Sequence, residues 1–327
     1  MIEVRDLSKS FKIYETKKGA FGTLRSVFSK KYTLKEAVKN ISFTINQGEC
    51  VGYLGPNGAG KSTTIKILSG ILYPSGGTIT VMGKNPQIHR KQLASCYGVV
   101  FGQRSQLWWD LPLRDSYEIL REMYKVDKQK YETFLMEYDR LLEIGSFIDT
   151  PVRKLSLGQR MRADLAAALI HDPAILFLDE PTIGLDVVGK KRMREFLLHL
   201  REDKKKTIVL TTHDMDDISF LCNRVILINH GQMMMDTTLN DLQKKIRLPS
   251  KIHLTYQSKP YPQSGSIYQI IEQTDNELTL AYDRSVIKVP ELLALCSEWG
   301  EIIDIQMREP DIEEIMQNLY EFTSKNS

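Results

Sequence analysis

Cysteine is scarce in this chain, four among 327 residues, and no two stand in CxxC spacing. Cys50, Cys96, Cys222 and Cys296 lie far apart in sequence, in apolar surroundings such as Cys50-Val51-Gly52 and Leu221-Cys222. The pattern argues against a disulfide framework or a thiolate zinc site and predicts buried thiols in a reducing compartment. Long apolar runs are missing too. No window approaches the roughly 18 apolar residues that span a bilayer, and the Met-Ile-Glu-Val-Arg start has no apolar leader core. The sequence therefore predicts a soluble, cytosolic protein that would reach a membrane only through a partner. Net charge is almost absent: 44 Lys+Arg against 41 Asp+Glu gives +3, too little to announce a nucleic-acid protein by bulk charge. Internal repeats and low-complexity tracts are absent as well.

What is present suffices for a core. With 42% hydrophobic residues, the chain excludes disorder and collagen-like architecture, and its length suits about two domains. The small net charge is unevenly spread. Residues 11–40 carry eight cations, among them Lys17, Lys18, Arg25, Lys30 and Lys31, against Glu15 and Glu36. That stretch is +6, so the other 297 residues sum to −3.

Period-2 alternation at Ile2/Val4 and Ile41/Phe43/Ile45 predicts strands flanking this basic segment. Cys50–Leu54 predicts another, running into a glycine-rich turn and then the helical Ile65, Ile67, Leu68. Continuous apolar runs at 174–178, 208–210 and 225–228 predict strands buried on both faces, as in a helix-covered parallel sheet. Residues 105–160 are mainly helical in pattern, with Leu113, Tyr117, Leu120, Met123 and Tyr124 on one face. A second, small α+β unit is expected over 241–327, beyond a helix stopped by Pro249. Ile252/Leu254/Tyr256, Leu278/Leu280/Tyr282 and Ile302/Ile305/Met307 predict its strands, and 290–299 a helix. Asp311 and Glu314 form a capping box for a last helix.

Gly55-Pro56-Asn57-Gly58-Ala59-Gly60-Lys61-Ser62-Thr63 matches G-x-x-x-x-G-K-[ST] between a strand and a helix. Such a loop turns backbone N–H groups toward phosphate oxygens, and the helix N-terminus adds its positive end. Lys61 would reach the β/γ-phosphates, and the Ser62 hydroxyl could ligate Mg2+. The apolar run 174–178 ends in Asp179 and Glu180, placed for a metal-holding carboxylate and a base that polarises the attacking water. A solvated acidic turn is the plainer alternative for these two residues taken alone.

Leu155-Ser156-Leu157-Gly158-Gln159 precedes an alanine-rich helix between those two motifs. Here the chain resembles the ATP-binding cassette (ABC) ATPases, whose signature motif commonly has glycine where this chain has Leu157. Gln103 resembles the family's Q-loop glutamine, which senses Mg2+ and water, Gly184-Leu185-Asp186 its D-loop, and His213 its switch histidine. Taken singly, these read as an exposed Gln, a turn Asp and a helix-capping His, and Ser156 as a helix N-cap. The resemblance implies a P-loop NTPase α/β fold, with an antiparallel β subdomain and a helical subdomain near 105–160. It further implies ATP and Mg2+ as cofactors, and Gln103, Glu180 and His213 as the hydrolytic residues, with Mg2+ on Ser62, Gln103 and Asp179. ATP contacts then fall to residues 57–63, to Ser156, Gly158, Gln159 and Asp186, and to an adenine-stacking aromatic, Phe11 or Tyr14. Either ring could instead be hydrophobic packing.

In that family the signature serves the phosphate loop of a partner in a head-to-tail dimer, so this chain, with one of each, is expected to form a homodimer. The whole chain resembles the ATPase subunits of ABC-2-type exporters, through strings such as Leu107-Trp108-Trp109-Asp110-Leu111-Pro112. The resemblance implies integral-membrane permease partners, a place at the cytoplasmic membrane face, and a nucleotide-binding domain over 1–240 with a basic insertion at about 14–36. Trp108 and Trp109 either face the permease or fill the helical core. Lys17 through Lys31, with Phe21, Leu24, Val27 and Phe28, could form a basic amphipathic helix against anionic lipid or the permease base. A soluble ABC ATPase acting on nucleic acid or ribosomes is the alternative. The tandem cassettes, coiled coils and zinc modules of such proteins are absent, and no nucleic-acid partner is expected.

Overall fold

The computed structural model of the chain describes residues 1–14, 32–102, 105–212, 214–245, 249–263, 265–283 and 286–308. The chain divides into two compact units, Met1–Leu239 and Asn240–Ser327. The first begins with a long antiparallel ribbon of β1 (Ile2–Tyr14) and β2 (Tyr32–Ile45), followed by β3 (Cys50–Leu54). Next come α1 (Lys61–Leu68), β4 (Gly76–Val81), the one-turn α2 (Arg90–Leu93) and β5 (Tyr97–Phe101). A helical stretch holds α3 (Leu113–Tyr124), α4 (Lys128–Leu142) and α5 (Leu157–Leu169). Then follow β6 (Ile175–Asp179), α6 (Val187–Glu202), β7 (Thr207–Thr211), α7 (Met215–Leu221), β8 (Arg224–Asn229) and β9 (Gln232–Thr238).

Six strands form one sheet in the order β5-β6-β7-β3-β8-β9, parallel except for β9 at its edge. Continuous burial of Ile175–Leu178 and Thr207–Thr211 is the reason their sequences lack alternation. The register pairs Phe101 with Asp179, Asp179 with Thr211 and Gly52 with Leu210. Four strands therefore finish along one edge, where the loops of a parallel sheet gather its chemistry.

A second sheet, β2-β1-β4, is antiparallel throughout. Its Ile2, Val4, Phe43, Ile45, Ile79 and Val81 share a buried cluster with Val51, Tyr53 and Ile65, so this sheet and α1 enclose β3. The ribbon runs further than the alternation suggests. Beyond Leu7 and before Val38 it leaves the core, and Phe11, Ile13, Tyr32 and Leu34 are exposed, so the buried-face signal stops while pairing continues. Residues 32–36, expected within the insertion, are thus strand. The remaining insertion, including Lys17, Lys18, Phe21, Leu24, Arg25, Val27, Phe28, Lys30 and Lys31, lies outside the described residues.

In the helical part, Leu113, Tyr117 and Leu120 are buried, and the Tyr117 hydroxyl donates to the Ala163 carbonyl at 2.9 Å. Met123, expected on the same face, is 66% exposed. At about 100° per residue it sits roughly 80° from the Leu113 direction, at the edge of the apolar stripe. Tyr124 stacks on His171, ring centres 3.9 Å apart.

α8 (Leu239–Lys245) precedes a four-stranded antiparallel sheet of order β11-β12-β10-β13. Its strands are β10 (Ser250–Tyr256), β11 (Tyr268–Gln273), β12 (Glu277–Tyr282) and β13 (Ile302–Arg308), with α9 (Val289–Ser297) before the last. Ile252, Leu254, Leu278 and Leu280 pack with Leu292, Cys296 and Trp299 in a core of their own. The capping box at Asp311 and Glu314 lies outside the described residues. Among the described residues no helix is long and apolar enough to cross a membrane.

Cys50, Cys222 and Cys296 are buried free thiols, while Cys96 is only half-buried. The fold also brings Cys50 and Cys222 together, sulfurs 3.5 Å apart, across 172 residues of sequence. Their contact, then burial, holds the Cys222 thiol well above its ordinary pKa.

Phe177, fully buried on β6 and edge-on to Tyr97 at 5.8 Å between centroids, anchors the sheet interior. Phe177→Ala is expected to cost about 3–5 kcal/mol of stability, read as a lower urea midpoint.

Candidate functional site

The phosphate loop follows β3 because the strand ends where glycines let the chain reverse into α1. Gly60 has φ of 107°, and a Cβ there would lie 2.3 Å from the Ala37 carbonyl oxygen on β2. Only glycine fits that approach. Behind the loop, Thr64 Oγ1 donates to the Gly60 carbonyl at 3.1 Å, and the buried Tyr53 hydroxyl donates to Thr64 Oγ1 at 3.2 Å. Lys61 is buried, and its Nζ donates to the Gly55 and Pro56 carbonyls at 2.6 and 3.2 Å. Burial lowers its pKa, opposed by the charges of Glu180 and Asp179. A buried ammonium folded over its own loop, at a helix start, suits a polyphosphate chain.

Asp179 closes β6, and its carboxylate accepts the Thr211 hydroxyl at 2.5 Å. In a regular strand the next side chain would point to the opposite face. Glu180 instead has φ of 57°, in the left-handed region, with its N–H donating to the Thr211 carbonyl at 2.9 Å. Broken alternation brings Asp179 and Glu180 into one cleft of about 390 Å3, which Ser62, Lys66, Ile71, Phe101 and Gly102 also line. One hydroxyl and two carboxylates are hard oxygen donors of the kind Mg2+ takes. Among the described residues no group of three His, Cys, Asp or Glu could hold a metal, so such an ion would lean on phosphate oxygens and water. Gln103 and His213 lie outside the described residues. Their neighbours Gly102 and Thr212 follow the ends of β5 and β7, at the sheet edge that carries the cleft.

Ser156 is the N-cap of α5: its Oγ accepts the Gln159 N–H at 3.2 Å, while Gln159 Oε1 accepts the Ser156 N–H at 2.9 Å. Asp186 caps α6 in the same way, accepting the Gly189 N–H at 2.7 Å. The two caps share a second pocket of about 400 Å3, lined by Leu157, Gly158 and Gln159 together with Gly184 and Leu185. It has no lining residue in common with the carboxylate cleft. Leu157, in the signature's glycine position, rests on Gly184, where a Cβ would come within 2.2 Å of its Cδ2. The glycine leaves room for the leucine as it lies, and its own φ of 69° favours glycine there.

The two candidate adenine aromatics sit on the ribbon. Phe11, opposite Lys35, is two residues along β2 from the Ala37 carbonyl that backs Gly60. Tyr14, opposite Tyr32, is three residues further out, about 10 Å at strand rise. The Phe11 ring is exposed and carries the Lys9 ammonium 5.1 Å from its centroid.

Sequence reasoning missed the buried polar side chains that hold these loops. Asp164, on the buried face of α5, accepts from the Ser105 hydroxyl at 2.9 Å and the Gln106 N–H at 3.0 Å. It ties the signature helix to the segment just after Gln103. An acid amid the alanines 163 to 168 was the available signal. Thr211 and Asp217 carried none, each fitting an ordinary strand end or helix.

A glycine loop over a buried lysine, with two carboxylates at the neighbouring strand end, defines a P-loop nucleoside triphosphatase. The ABC transporter family matches over residues 38–183. The linearmycin resistance ATP-binding protein LnrL of Bacillus subtilis is 31% identical over 308 residues, 89% of this chain and 95% of that relative. The Nod factor export ATP-binding protein I of Sinorhizobium fredii is 38% identical over 208 residues, 64% of this chain and 60% of the relative. Among solved structures, a dimeric ATP-binding cassette in a post-hydrolysis state, bound to ADP and Pi, superposes with TM-score 0.61. It is 25% identical, covering 73% of this chain and 99% of that one. The chain belongs to the ABC transporter family, as an ATP-binding cassette that hydrolyses ATP.

Burial is the main cause that pushes the Asp164 carboxyl up to about 6, against its Ser105 and Gln106 hydrogen bonds. With the folded pKa above the unfolded one, the native state holds the extra proton, and this stabilisation is full below about pH 4 and lost as pH rises through about 6. Asp164→Asn should remove that slope from a pH series of urea unfolding curves, a difference of about 3 kcal/mol at most across the window.

Proposed function

We propose that this chain is the ATPase subunit of an ABC-2-type exporter, acting as a homodimer beneath separately encoded permease subunits at the cytoplasmic membrane face. One observation carries the dimer: the signature pocket and the carboxylate cleft share no lining residue. That separation supports a signature that serves the phosphate loop of a second copy, related head to tail, which would complete each site.

In this reading the amides of residues 57–63 and the Lys61 ammonium bind the phosphates. Ser62, Asp179 and Gln103 would hold Mg2+, which when bound neutralises phosphate charge. Glu180 accepts the proton of the attacking water, and His213 completes the hydrolytic set. Ser156, Gly158, Gln159 and Asp186 face the nucleotide of the other copy. Phe11 is favoured over Tyr14 for stacking on adenine, since the ribbon carries it nearer Gly60.

The name of the Nod factor relative supports export, and the reading as a nucleic-acid or ribosome ATPase is not favoured by these relatives. Trp109 is 51% exposed beside Trp108, with the Arg160 guanidinium 5.5 Å from its ring centre, which suits an aromatic anchor for a permease helix. The +6 stretch, whose ribbon part exposes Phe11, Ile13, Tyr32 and Leu34 among Lys12 and Lys35, supports contact with anionic lipid or the permease base. We assign the ATPase to residues 1–240 and an accessory role to 241–327.

Glu180→Gln should retain ATP binding, lose about 100-fold or more in turnover and accumulate an ATP-dependent dimer. Size-exclusion chromatography with and without ATP, beside a phosphate-release assay, reads both. Undiminished turnover would remove Glu180 as the base.

A further inference from the structure

We propose that Asp217 is a positioning residue for hydrolysis: it clamps the turn that holds Glu180 in its left-handed conformation and so aims that carboxylate into the cleft. The proposal rests on the assignment of Glu180 as base. Asp217 is fully buried on α7, and its carboxylate is shared among three elements. Oδ2 accepts two hydroxyls, from Thr182 at 2.5 Å and Thr212 at 3.1 Å, while Oδ1 accepts the Arg194 Nε–H at 2.5 Å.

Thr182 lies two residues after Glu180, and Thr212 lies next to Thr211, whose carbonyl receives the Glu180 N–H. The carboxylate thereby grips the Glu180 turn from downstream and, through the Thr211–Thr212 segment, from its hydrogen-bond partner. A non-glycine residue at φ 57° costs energy and persists only where its surroundings over-determine it. Asp217 supplies that determination from the buried side.

Arg194 fixes the clamp itself. Its guanidinium also bonds Asp214 at 3.0 Å, and Lys190 meets the other Asp214 oxygen at 2.6 Å. Burial would raise the Asp214 pKa, but the Lys190 hydrogen bond and the two cations hold it below its ordinary value. Asp214 in turn caps α7 and donates its own N–H to Thr212 Oγ1 at 2.9 Å. An Asn at 217 cannot accept from all three donors: with its amide oxygen toward the threonines Arg194 loses its acceptor, and with its NH2 there both hydroxyl protons lose theirs.

The test separates positioning from bulk stability. Thr182→Val removes one arm of the clamp and nearly keeps the shape. We expect kcat for ATP to fall about 10-fold or more, KM and thermal midpoint to stay near wild type, and Thr182→Ser to restore kcat. Asp217→Asn should lose at least as much, and adding Thr182→Val to it should lose little more. Thr182→Val with wild-type kcat, or one whose KM and melting shift together with kcat and which serine does not rescue, would overturn the proposal. Should Asp217→Asn fail to fold, the Thr182 pair carries the test alone. Glu180→Gln, assayed beside them, distinguishes the failures: if it is inactive while Thr182→Val is fully active, the clamp alone is wrong, and if it turns over normally, the assignment beneath it falls too.

Discussion

The side-by-side pairing of β6 with β7 is the constraint on which the hydrolytic site depends. It sets Asp179 opposite Thr211, and from that one register follow the Thr211 hydroxyl on the Asp179 carboxylate and the Thr211 carbonyl on the Glu180 N–H. A slip of one residue would turn every side chain at the strand end to the other face. The strand interiors prevent it, because Ile175–Leu178 and Ile208–Leu210 are buried and cannot exchange faces without leaving voids. Packing in the sheet centre thus fixes the positions of oxygens at its edge.

Charge then completes what register begins. Lys61 is buried with its ammonium on two backbone carbonyls, and burial costs it part of its basicity. Phosphate oxygens would relieve that cost. The same logic, with the sign reversed, governs Asp164, whose carboxyl is pushed up by burial while it ties the signature helix to the segment beyond β5. Around Asp214 and Asp217 the cations are supplied, and the carboxylates serve as fixed acceptors. The buried Asp164 and Asp217 carboxylates thus each connect elements that must hold their spacing and each have hydrogen-bond partners, which agrees with the cost of burying charge without a partner.

The signature surface shows how one departure is absorbed. Leu157 adds a side chain where glycine is common in the family, and Gly184 supplies the space for it. Ser156 and Asp186 meanwhile act as plain helix caps. Capping does not conflict with nucleotide contact, because an N-cap leaves the next amides of its helix pointing outward, available to an anion.

Much of this was legible in the sequence. The phosphate loop, the acidic strand end, the signature and the three buried strand runs announce themselves because each depends on local chain geometry: glycines for a turn, apolar runs for a covered strand, Ser and Gln three apart for a cap. Met123 was misread, since a helix stripe has edges, and the strand over residues 32–36 gave no signal, since a ribbon outside the core keeps its pairing without a buried face. What only the tertiary structure decided are contacts between residues remote in the chain. The Cys50–Cys222 pair, Leu157 on Gly184, Asp164 beneath Ser105 and Asp217 among Thr182, Thr212 and Arg194 are of this kind. The sequence alone determined which chemistry the chain carries, because motif spacing is a property of neighbouring residues. The fold decided how that chemistry is aimed, because a buried carboxylate takes its partners from whichever elements packing brings within hydrogen-bond reach.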